Sequence, residues 1–483
     1  MKKITLYIFA LLSLTTFSCQ DFLDVEPTNS TDSRSTIQTE SDAKVMVNGL
    51  LVQMASADLY GRNFMLYGDA KGGDLIIVSQ GRGLDALYVF NHSENNNNYS
   101  GFWSAGYNRI LQANNIIHSI NELQEAGTEL ELDSYKGQAL TLRALLHFDL
   151  VRLYGKTYTE DPSALGVPVV TELLEATAQP TRSTVEEVYQ QILNDLQEAE
   201  QLLPKQTDNG YINYFANKAI LSRVYMTMGK YEEALIAAEE IIESGLYTLY
   251  SNANWVNSWQ SQYGSESIFE ITLAKDQGDL GAGSLGFYYL RSQEDNALGN
   301  FTASDYFIDR LAEDEEDVRW GIFTEDELDR QAACYKYVGS IDKDGDGKEN
   351  YTAVNVKVIR LSEVYLNAAE SALKKSSPDA AKAAAYLNEI RKRSPNLTAA
   401  TASTVSEQMI LDEKSKELYG EGQRYWDMIR TNQTITFNDE HVGVALQHRE
   451  KSIDRTFYKT ILPIPKTELD ANPALQAQQN PGY

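Results

Sequence analysis

The chain has 483 residues, of which 42% are apolar and 23% are charged. This length and composition suffice for a large buried core and argue against wholesale disorder. The formal net charge is −27, and no basic stripe offsets it, so a nucleic-acid partner is not expected. Of the two cysteines, Cys19 closes an N-terminal leader, which leaves Cys334 without a partner for an internal disulfide.

The first residues predict export and lipid anchoring. Lys2 and Lys3 form a basic start, and the apolar run at 4–14 is too short to span a bilayer. Small residues then precede Cys19, whose thiol can take a thioether-linked diacylglycerol. We predict a lipoprotein signal peptide at 1–18 and a lipid anchor and tether at 19–40. The alternative is an ordinary secretory leader with a chance cysteine.

Helical periodicity dominates the rest of the chain. Residues 216–245 have the pattern of a tetratricopeptide helix–turn–helix, in which Tyr231 begins the second helix and Gly245 ends it. Looser echoes occur at 103–123 and 357–393. Because these copies lie far apart, we predict a mainly α fold: a tetratricopeptide-like helical scaffold with long irregular loop inserts and a few short β-strands.

Two segments of different composition interrupt this scaffold, at 60–101 and 250–350. Both are rich in Gly, Asn and Tyr, and short β-type runs occur at 267–273 and 335–338. Exposed aromatic side chains on loops held by a rigid frame suit a recognition site. We predict that residues 41–483 form a single helical domain with these two segments as loop inserts.

Several motifs occur in an order that matches one known family nearly end to end. In chain order they are Asp21-Phe22-Leu23-Asp24, Trp103, Arg143-Ala144, Tyr154-Gly155, Gly166-Val167-Pro168, the 216–245 repeat, Arg360-Leu361-Ser362-Glu363, Glu417-Leu418, Trp426-Asp427 and the C-terminal Asn480-Pro481-Gly482-Tyr483. With this ordered set the chain resembles the SusD (RagB) family of outer-membrane nutrient-binding lipoproteins.

The resemblance implies a function but no particular sugar. It implies a non-enzymatic protein without a catalytic cofactor, exposed on the cell surface and held in the outer membrane by lipid on Cys19. Such a protein captures an oligosaccharide or polysaccharide and delivers it to a TonB-dependent transporter of the SusC type. Two alternatives stay open: a surface glycan-degrading enzyme, and a protein-binding scaffold built on tetratricopeptide helices.

The charged segment near residue 420 offers acids that resemble catalytic ones. Glu417, Glu421 and Arg424 follow one another at four- and three-residue spacing, which favours ion pairing along a helix, so we interpret them as structural. Trp103 and Trp426 sit in helical registers and are predicted to be core residues. A glycosidase acid pair cannot be identified from sequence, because its carboxylates need only converge in space.

Sugar recognition requires flat aromatic faces together with carboxylate, amide or guanidinium groups for the hydroxyls. The two inserts provide both kinds of group, although core packing is the alternative for each aromatic, and above all for Trp255. The second insert also carries Tyr263 in the run SQYG. The predicted ligand-binding residues are Asp74, Arg82, Tyr88, Trp259, Tyr288, Tyr289 and Arg291.

An acidic run in the second insert resembles part of a calcium-binding loop. Asp342, Asp344 and Asp346 match the first half of an EF-hand, and Asn350 stands at its ninth position. Ala353 occupies the twelfth position, where a bidentate glutamate is usual. We predict a structural Ca²⁺ held by these four oxygen-bearing residues; a solvated acidic turn is the alternative.

Overall fold

The structure is a computed structural model, and it describes most of the chain. The described residues are 37–78, 85–95, 100–175, 177–273, 284–291, 299–339, 354–441 and 448–483. Cys19, Arg82 and the four predicted calcium ligands lie outside these ranges. Among the described residues, no helix combines the length and the apolar character that crossing a bilayer requires.

Helices make up most of the described fold, which confirms the mainly α prediction. They are α1 (Glu40–Met54), α2 (Asn63–Ala70), α3 (Asp85–Val89), α4 (Ser100–Glu125), α5 (Asp133–Tyr154), α6 (Val185–Leu202), α7 (Tyr214–Met228), α8 (Tyr231–Glu243), α9 (Asn252–Trp255), α10 (Leu285–Tyr289), α11 (Asp305–Leu311), α12 (Leu361–Lys374), α13 (Ala380–Arg391), α14 (Glu407–Glu417), α15 (Arg424–Arg430) and α16 (Lys466–Ala471).

The described strands are short and pair two by two in antiparallel fashion. They are β1 (Leu75–Ile77) with β3 (Phe301–Ala303), β2 (Ser267–Ile271) with β6 (Val356–Arg360), β4 (Phe323–Glu325) with β5 (Gln331–Cys334), and β7 (Ile435–Thr436) with β8 (Ser452–Ile453). In three of the four pairs the two strands are well separated in sequence. These ladders therefore connect segments of the chain that lie outside the helices.

Helices α7 and α8 form the helix–turn–helix predicted at 216–245, which is consistent with a tetratricopeptide repeat. Gly229 ends α7 in the left-handed region, with φ of 73°, where a residue with a Cβ would be strained. At the other end of α8, Gly245 also has a positive φ of 64°. Small residues let the two helices approach, and the Ser222 hydroxyl donates to the Ala234 carbonyl at 3.1 Å. The predicted echo at 357–393 forms a second hairpin, α12 and α13.

The core is continuous and rich in aromatic rings. Trp426 packs within it: its ring is stacked 5.6 Å from Tyr67 and 6.0 Å from Phe64, measured between ring centroids. Trp103 and Trp255 are buried as well. This burial confirms the prediction that the three tryptophans are core residues. Rings of this size are favoured in a core because each buries a large apolar area.

The two predicted inserts contain more regular structure than their composition indicates. Helices α2 and α3 and strand β1 lie within 60–101, and α9 to α11 lie within 250–350. The β-type run at 267–273 is confirmed by β2. The run at 335–338 is not a strand: β5 ends at Cys334, and a turn follows it. Elements of three to eight residues are too short for periodicity to reveal.

Candidate functional site

The four aromatic residues predicted to contact a sugar are buried, so the prediction that they are exposed is wrong. Tyr88 and Tyr289 have no accessible side chain, and Trp259 and Tyr288 are each only 3% exposed. The physical reason is that each ring completes the core and each tyrosine finds a polar partner inside it. The Tyr289 hydroxyl, for example, donates to Asp69 at 2.8 Å.

Tyr88 and Trp259 are also held inside the fold, although the Trp259 indole N–H has no hydrogen-bond partner among the described residues. The Tyr88 hydroxyl donates to Asp439 at 2.9 Å, and its ring meets Phe437 edge-on. Three cations from the described part of the chain approach the Trp259 ring: the Lys336 ammonium at 4.4 Å, the Arg360 guanidinium at 5.0 Å and the Lys357 ammonium at 5.3 Å from its centroid. These rings are therefore supports of the fold in this structure, not surface platforms.

The predicted polar residues are also engaged. Asp74 is buried and forms ion pairs with Arg310 at 3.1 Å and Arg424 at 3.2 Å. Burial opposes ionisation of Asp74, but the charges of these two arginines outweigh it and hold its pKa below the ordinary value. Arg291 is half-buried and donates to the backbone carbonyl of Asp326. The described members of the predicted set thus have separate neighbours and do not converge on one surface.

A different group of residues forms an open groove of about 570 Å³ on the surface. We call it the tyrosine groove and define it by Asn48, Gly49, Val52, Asn209, Gly210, Tyr211, Tyr263 and Thr272. Its walls come from three parts of the chain: helix α1, the turn before α7, and the loop and strand end around β2. The groove is the candidate functional site.

Helix α1 supplies one wall. It begins with a capping box, in which the Thr39 hydroxyl accepts from the Asp42 amide and the Asp42 carboxylate accepts from the Thr39 amide. Val47 and Leu50 face the core, whereas Asn48 and Gly49 face outward. A Cβ at Gly49 would meet no atom within 4 Å, so the helix backbone itself is open to the groove at this point.

The other wall comes from two turns, at Gly210 and at Tyr263, which pack closely against each other. Tyr263 adopts a φ of 49°, unusual for a residue with a side chain, and its amide donates to the Glu270 carboxylate at 3.1 Å. Its hydroxyl bonds to the Thr272 hydroxyl. Gly210 has a φ of 82°, and a Cβ there would lie 2.7 Å from Thr272 Oγ1. This close fit holds the Tyr263 ring in place before any ligand arrives.

Tyr211 adds a second half-buried ring to the groove. One cation approaches that ring, with Lys44 Nζ 5.3 Å from its centroid. The groove is also lined by Asn48 and Asn209, whose side chains carry amide groups, and by Gly49 and Gly210. Among the described lining residues none carries a carboxyl group. The arrangement therefore suits stacking on a ring and hydrogen bonding to neutral hydroxyls.

Sequence reasoning missed most of this site, although a signal was present. Asn209, Gly210 and Tyr211 form an Asn-Gly-Tyr run with the same composition as the two inserts, but it lies between helices outside them. Tyr263 was noted among the aromatics of the second insert. Asn48 and Gly49 gave no signal, because an amide and a glycine on an amphipathic helix are ordinary on its exposed side.

The structure offers no test of the metal prediction. Among the described residues, no group of three or more His, Cys, Asp or Glu side chains is placed to hold a metal ion. Asp342, Asp344, Asp346 and Asn350 lie outside those residues.

Comparison with known proteins identifies the family. The SusD family model matches residues 178–483, and a model described as starch-binding and associating with the outer membrane matches residues 21–226. A SusD superfamily structure from Bacteroides thetaiotaomicron is 34% identical, with a TM-score of 0.84, covering 92% of this chain and 100% of that one.

More distant relatives agree along the whole length. SusD-like protein P25 of Formosa agariphila is 26% identical over 100% of this chain and 99% of its own. A laminarin-binding SusD-like protein, 23% identical, shares the fold with a TM-score of 0.70, covering 92% of this chain and 100% of that one. The chain belongs to the SusD family, whose members are carbohydrate-binding proteins associated with the outer membrane.

Proposed function

We propose that this protein captures an oligosaccharide or polysaccharide at the cell surface and delivers it to a TonB-dependent outer-membrane transporter of the SusC type. It acts by binding alone and is held in the outer membrane by lipid on Cys19. The observation that carries glycan capture is the tyrosine groove, an open surface lined by Tyr211, Tyr263 and the amide-bearing Asn48 and Asn209. Family membership supports it, as does the laminarin-binding relative with the same fold.

The groove has the properties that a capture protein needs. It is open, so a polymer can enter from the side and leave again, which favours the fast release that delivery requires. Tyrosine rings lose little rotamer freedom on binding, and each stacked ring contributes on the order of 1 kcal/mol.

Glycan capture is tested with the purified protein and a polysaccharide panel that includes laminarin and starch. We expect retention of at least one polysaccharide without new reducing ends. New reducing ends would favour the glycan-degrading enzyme instead. Retention of none would contradict glycan capture.

The groove itself is tested by substitution. We expect Tyr211→Ala and Tyr263→Asn to weaken binding about tenfold each in calorimetry; asparagine is chosen at 263 because it tolerates a positive φ. Tyr306→Ala is the matched control, since Tyr306 is exposed but lies outside the groove. Parental binding by both groove variants would place the glycan elsewhere.

The anchor and the delivery step are tested in cells. Cys19→Ser should move the protein from the outer-membrane fraction to the soluble fraction and abolish labelling with palmitate. A variant that still pellets and still labels contradicts the lipid assignment.

Delivery predicts that the protein co-purifies with a TonB-dependent transporter from detergent-solubilised outer membranes, and purification without any such transporter counts against it.

A further inference from the structure

A second cavity, of about 230 Å³, lies between the end of α5, helix α15 and the C-terminal segment. We call it the C-terminal pocket; the lining residues used below are Arg152, Thr157, Trp426, Arg430, Arg455 and Tyr458. It shares no lining residue with the tyrosine groove. Its volume is below the roughly 300–1,000 Å³ of sites for drug-sized ligands, so it suits a single ring.

Three polar atoms of the lining residues have no hydrogen-bond partner among the described residues, and two of them are N–H groups that can only donate a hydrogen bond. Trp426 Nε1, Arg152 Nε and Thr157 Oγ1 are buried and have no hydrogen-bond partner among the described residues. The Trp426 indole and the Arg152 Nε are donors, and the threonine hydroxyl can donate as well. Because these atoms are covered by neighbouring protein atoms, they show the polar character of the wall and are not themselves contacts for a ligand in the cavity.

The charges around the pocket favour an anion. Four basic side chains line it, against one carboxylate, that of Glu160. Three of these cations have carboxylate partners: Lys156 pairs with Glu160 at 2.9 Å, while the two buried arginines pair with acids behind the wall. In a chain of net charge −27, such a basic lining is a local exception.

Arg455 is the fourth cation, and among the described residues no carboxylate lies within 4 Å of its guanidinium. Its Nη1 donates to the Thr159 hydroxyl at 3.3 Å. The neighbouring Asp454 uses one carboxylate oxygen to accept from Thr456, at 2.8 Å from its amide and 2.6 Å from its hydroxyl. The half-buried guanidinium of Arg455 is thus available to an incoming anion.

The pocket also offers an aromatic face at its mouth. Tyr458 is 44% exposed, and its ring meets Phe457 at 70° and Tyr483 at 61°. These edge-on contacts fix the ring and leave part of it to solvent. The combination of an exposed ring with the guanidinium of Arg455 matches a sugar that carries an oxyanion.

We propose that the C-terminal pocket binds one acidic sugar residue, carrying a carboxylate or a sulfate ester, at the end of a glycan chain. The inference rests on the proposed glycan capture and specifies the sugar chemistry that it accepts.

The test uses monosaccharides, so that the pocket is examined apart from the groove. The intact protein is titrated by calorimetry with galacturonate, galactose 6-sulfate and neutral galactose. We expect both anions to bind more tightly than galactose, and their order to distinguish carboxylate from sulfate. Arg455→Gln and Lys156→Gln should each weaken anion binding about tenfold, with a smaller effect at high salt. Galactose binding should not change.

Lys392→Gln is the matched control, because Lys392 is also an exposed lysine paired with a glutamate on its own segment, at 2.6 Å from Glu389. Equal binding of galactose and both anions would overturn the proposal, as would equal effects of Arg455→Gln and Lys392→Gln. If the polysaccharide panel still binds in that case, glycan capture stands. If galacturonate or galactose 6-sulfate binds through Arg455 but no polysaccharide is retained, the pocket stands and glycan capture is overturned.

Discussion

Lys71 is fully buried, and its ammonium group has no hydrogen-bond partner among the described residues. Three rings surround it, with Phe90 at 3.8 Å, Tyr67 at 4.5 Å and Tyr425 at 5.9 Å from Nζ to each centroid. Burial, assisted by the charges of Lys459 and Arg449, lowers the pKa of Lys71 well below its ordinary value. The aromatic faces attract a cation but do not replace the lost water.

This environment makes the stability of the protein depend on pH. The unfolded chain keeps the Lys71 proton up to its ordinary pKa of about 10.4, whereas the folded chain releases it earlier. Between the two pKa values the unfolded state binds more protons, so the free energy of unfolding rises with pH. Lys71→Met should therefore stabilise the protein by roughly 1–3 kcal/mol at neutral pH, with a gain that shrinks toward pH 10.

Urea unfolding at several pH values measures this gain. Lys392→Met is the control, since Lys392 is exposed and its removal should leave stability nearly unchanged. A gain for Lys71→Met that grows as the pH rises would contradict the assignment.

At the level of single helices and loops, α1 contains a glycine that lowers the stability of the helix but leaves its backbone open to the groove. Gly49 lies in the interior of the helix, where glycine costs about 0.5–1 kcal/mol relative to alanine. Because a Cβ there meets nothing, Gly49→Ala should raise the free energy of unfolding by that amount. The same methyl group would stand in the tyrosine groove and should weaken glycan binding.

Gly127→Ala is the matched control for that substitution. A Cβ at Gly127 also meets no atom within 4 Å, but its φ of 78° strains any residue with a side chain, so this change should destabilise the protein. Chemical denaturation and calorimetry on both variants separate the two effects. If the Gly49→Ala variant binds glycan as well as the parent, helix α1 is not part of the binding site.

The acidic loop at 342–350 gives a second prediction about a single element. Carboxylates as crowded as Asp342, Asp344 and Asp346 repel one another unless a cation lies among them. A bound ion stabilises the folded state by mass action, so chelation should lower Tm and Asp344→Ala should abolish that difference. Asp208→Ala, at an exposed position outside that segment, should retain it. Equal Tm values with calcium and with chelator would rule out the site.

The molecule as a whole is joined by a buried network of ion pairs. Arg319 is inaccessible and pairs with Asp317 at 2.6 Å and Glu413 at 2.7 Å. Arg360 pairs with Glu266 at 2.8 Å and Glu421 at 2.7 Å. The predicted structural role of Glu417 and Glu421 fits this network, but their partners do not lie along one helix. Helix α14 ends at Glu417, and the next turn carries Glu421 back toward β6.

Glu417 tests how much the network contributes. Burial opposes its ionisation, but Arg393, Arg360 and Arg319 outweigh burial and lower its pKa from 4.5 to about 2. A depressed pKa contributes stability that is complete above pH 4.5 and disappears as the pH falls toward 2. Glu417→Gln should destabilise the protein by about 3–5 kcal/mol at neutral pH and by less in acid.

Acid titration of the unfolding free energy measures this loss. Glu389→Gln is the control, because Glu389 is 42% exposed and its pair with Lys392 is solvated. A Glu417→Gln penalty as small as that of Glu389→Gln would show that the network is energetically neutral. A penalty that grows in acid would contradict the lowered pKa of Glu417.

Local sequence patterns were sufficient to predict the helical hairpins and the glycines that end their helices. The hairpins α7–α8 and α12–α13 follow from apolar spacing within about thirty consecutive residues. Gly229 and Gly245 end their helices because only a residue without a Cβ adopts a positive φ without strain. The ordered motifs likewise indicated the family, since each motif is contiguous in the chain.

The position of the site depended on contacts between residues far apart in the sequence. Composition marked Tyr88 and Tyr289 as surface aromatics, but their buried partners are Asp439 and Asp69, 351 and 220 residues away. The tyrosine groove joins Gly49, Tyr211 and Tyr263 in the same way. Whether an aromatic ring faces water or the core is decided by which distant segment packs against it, and no local pattern carries that information.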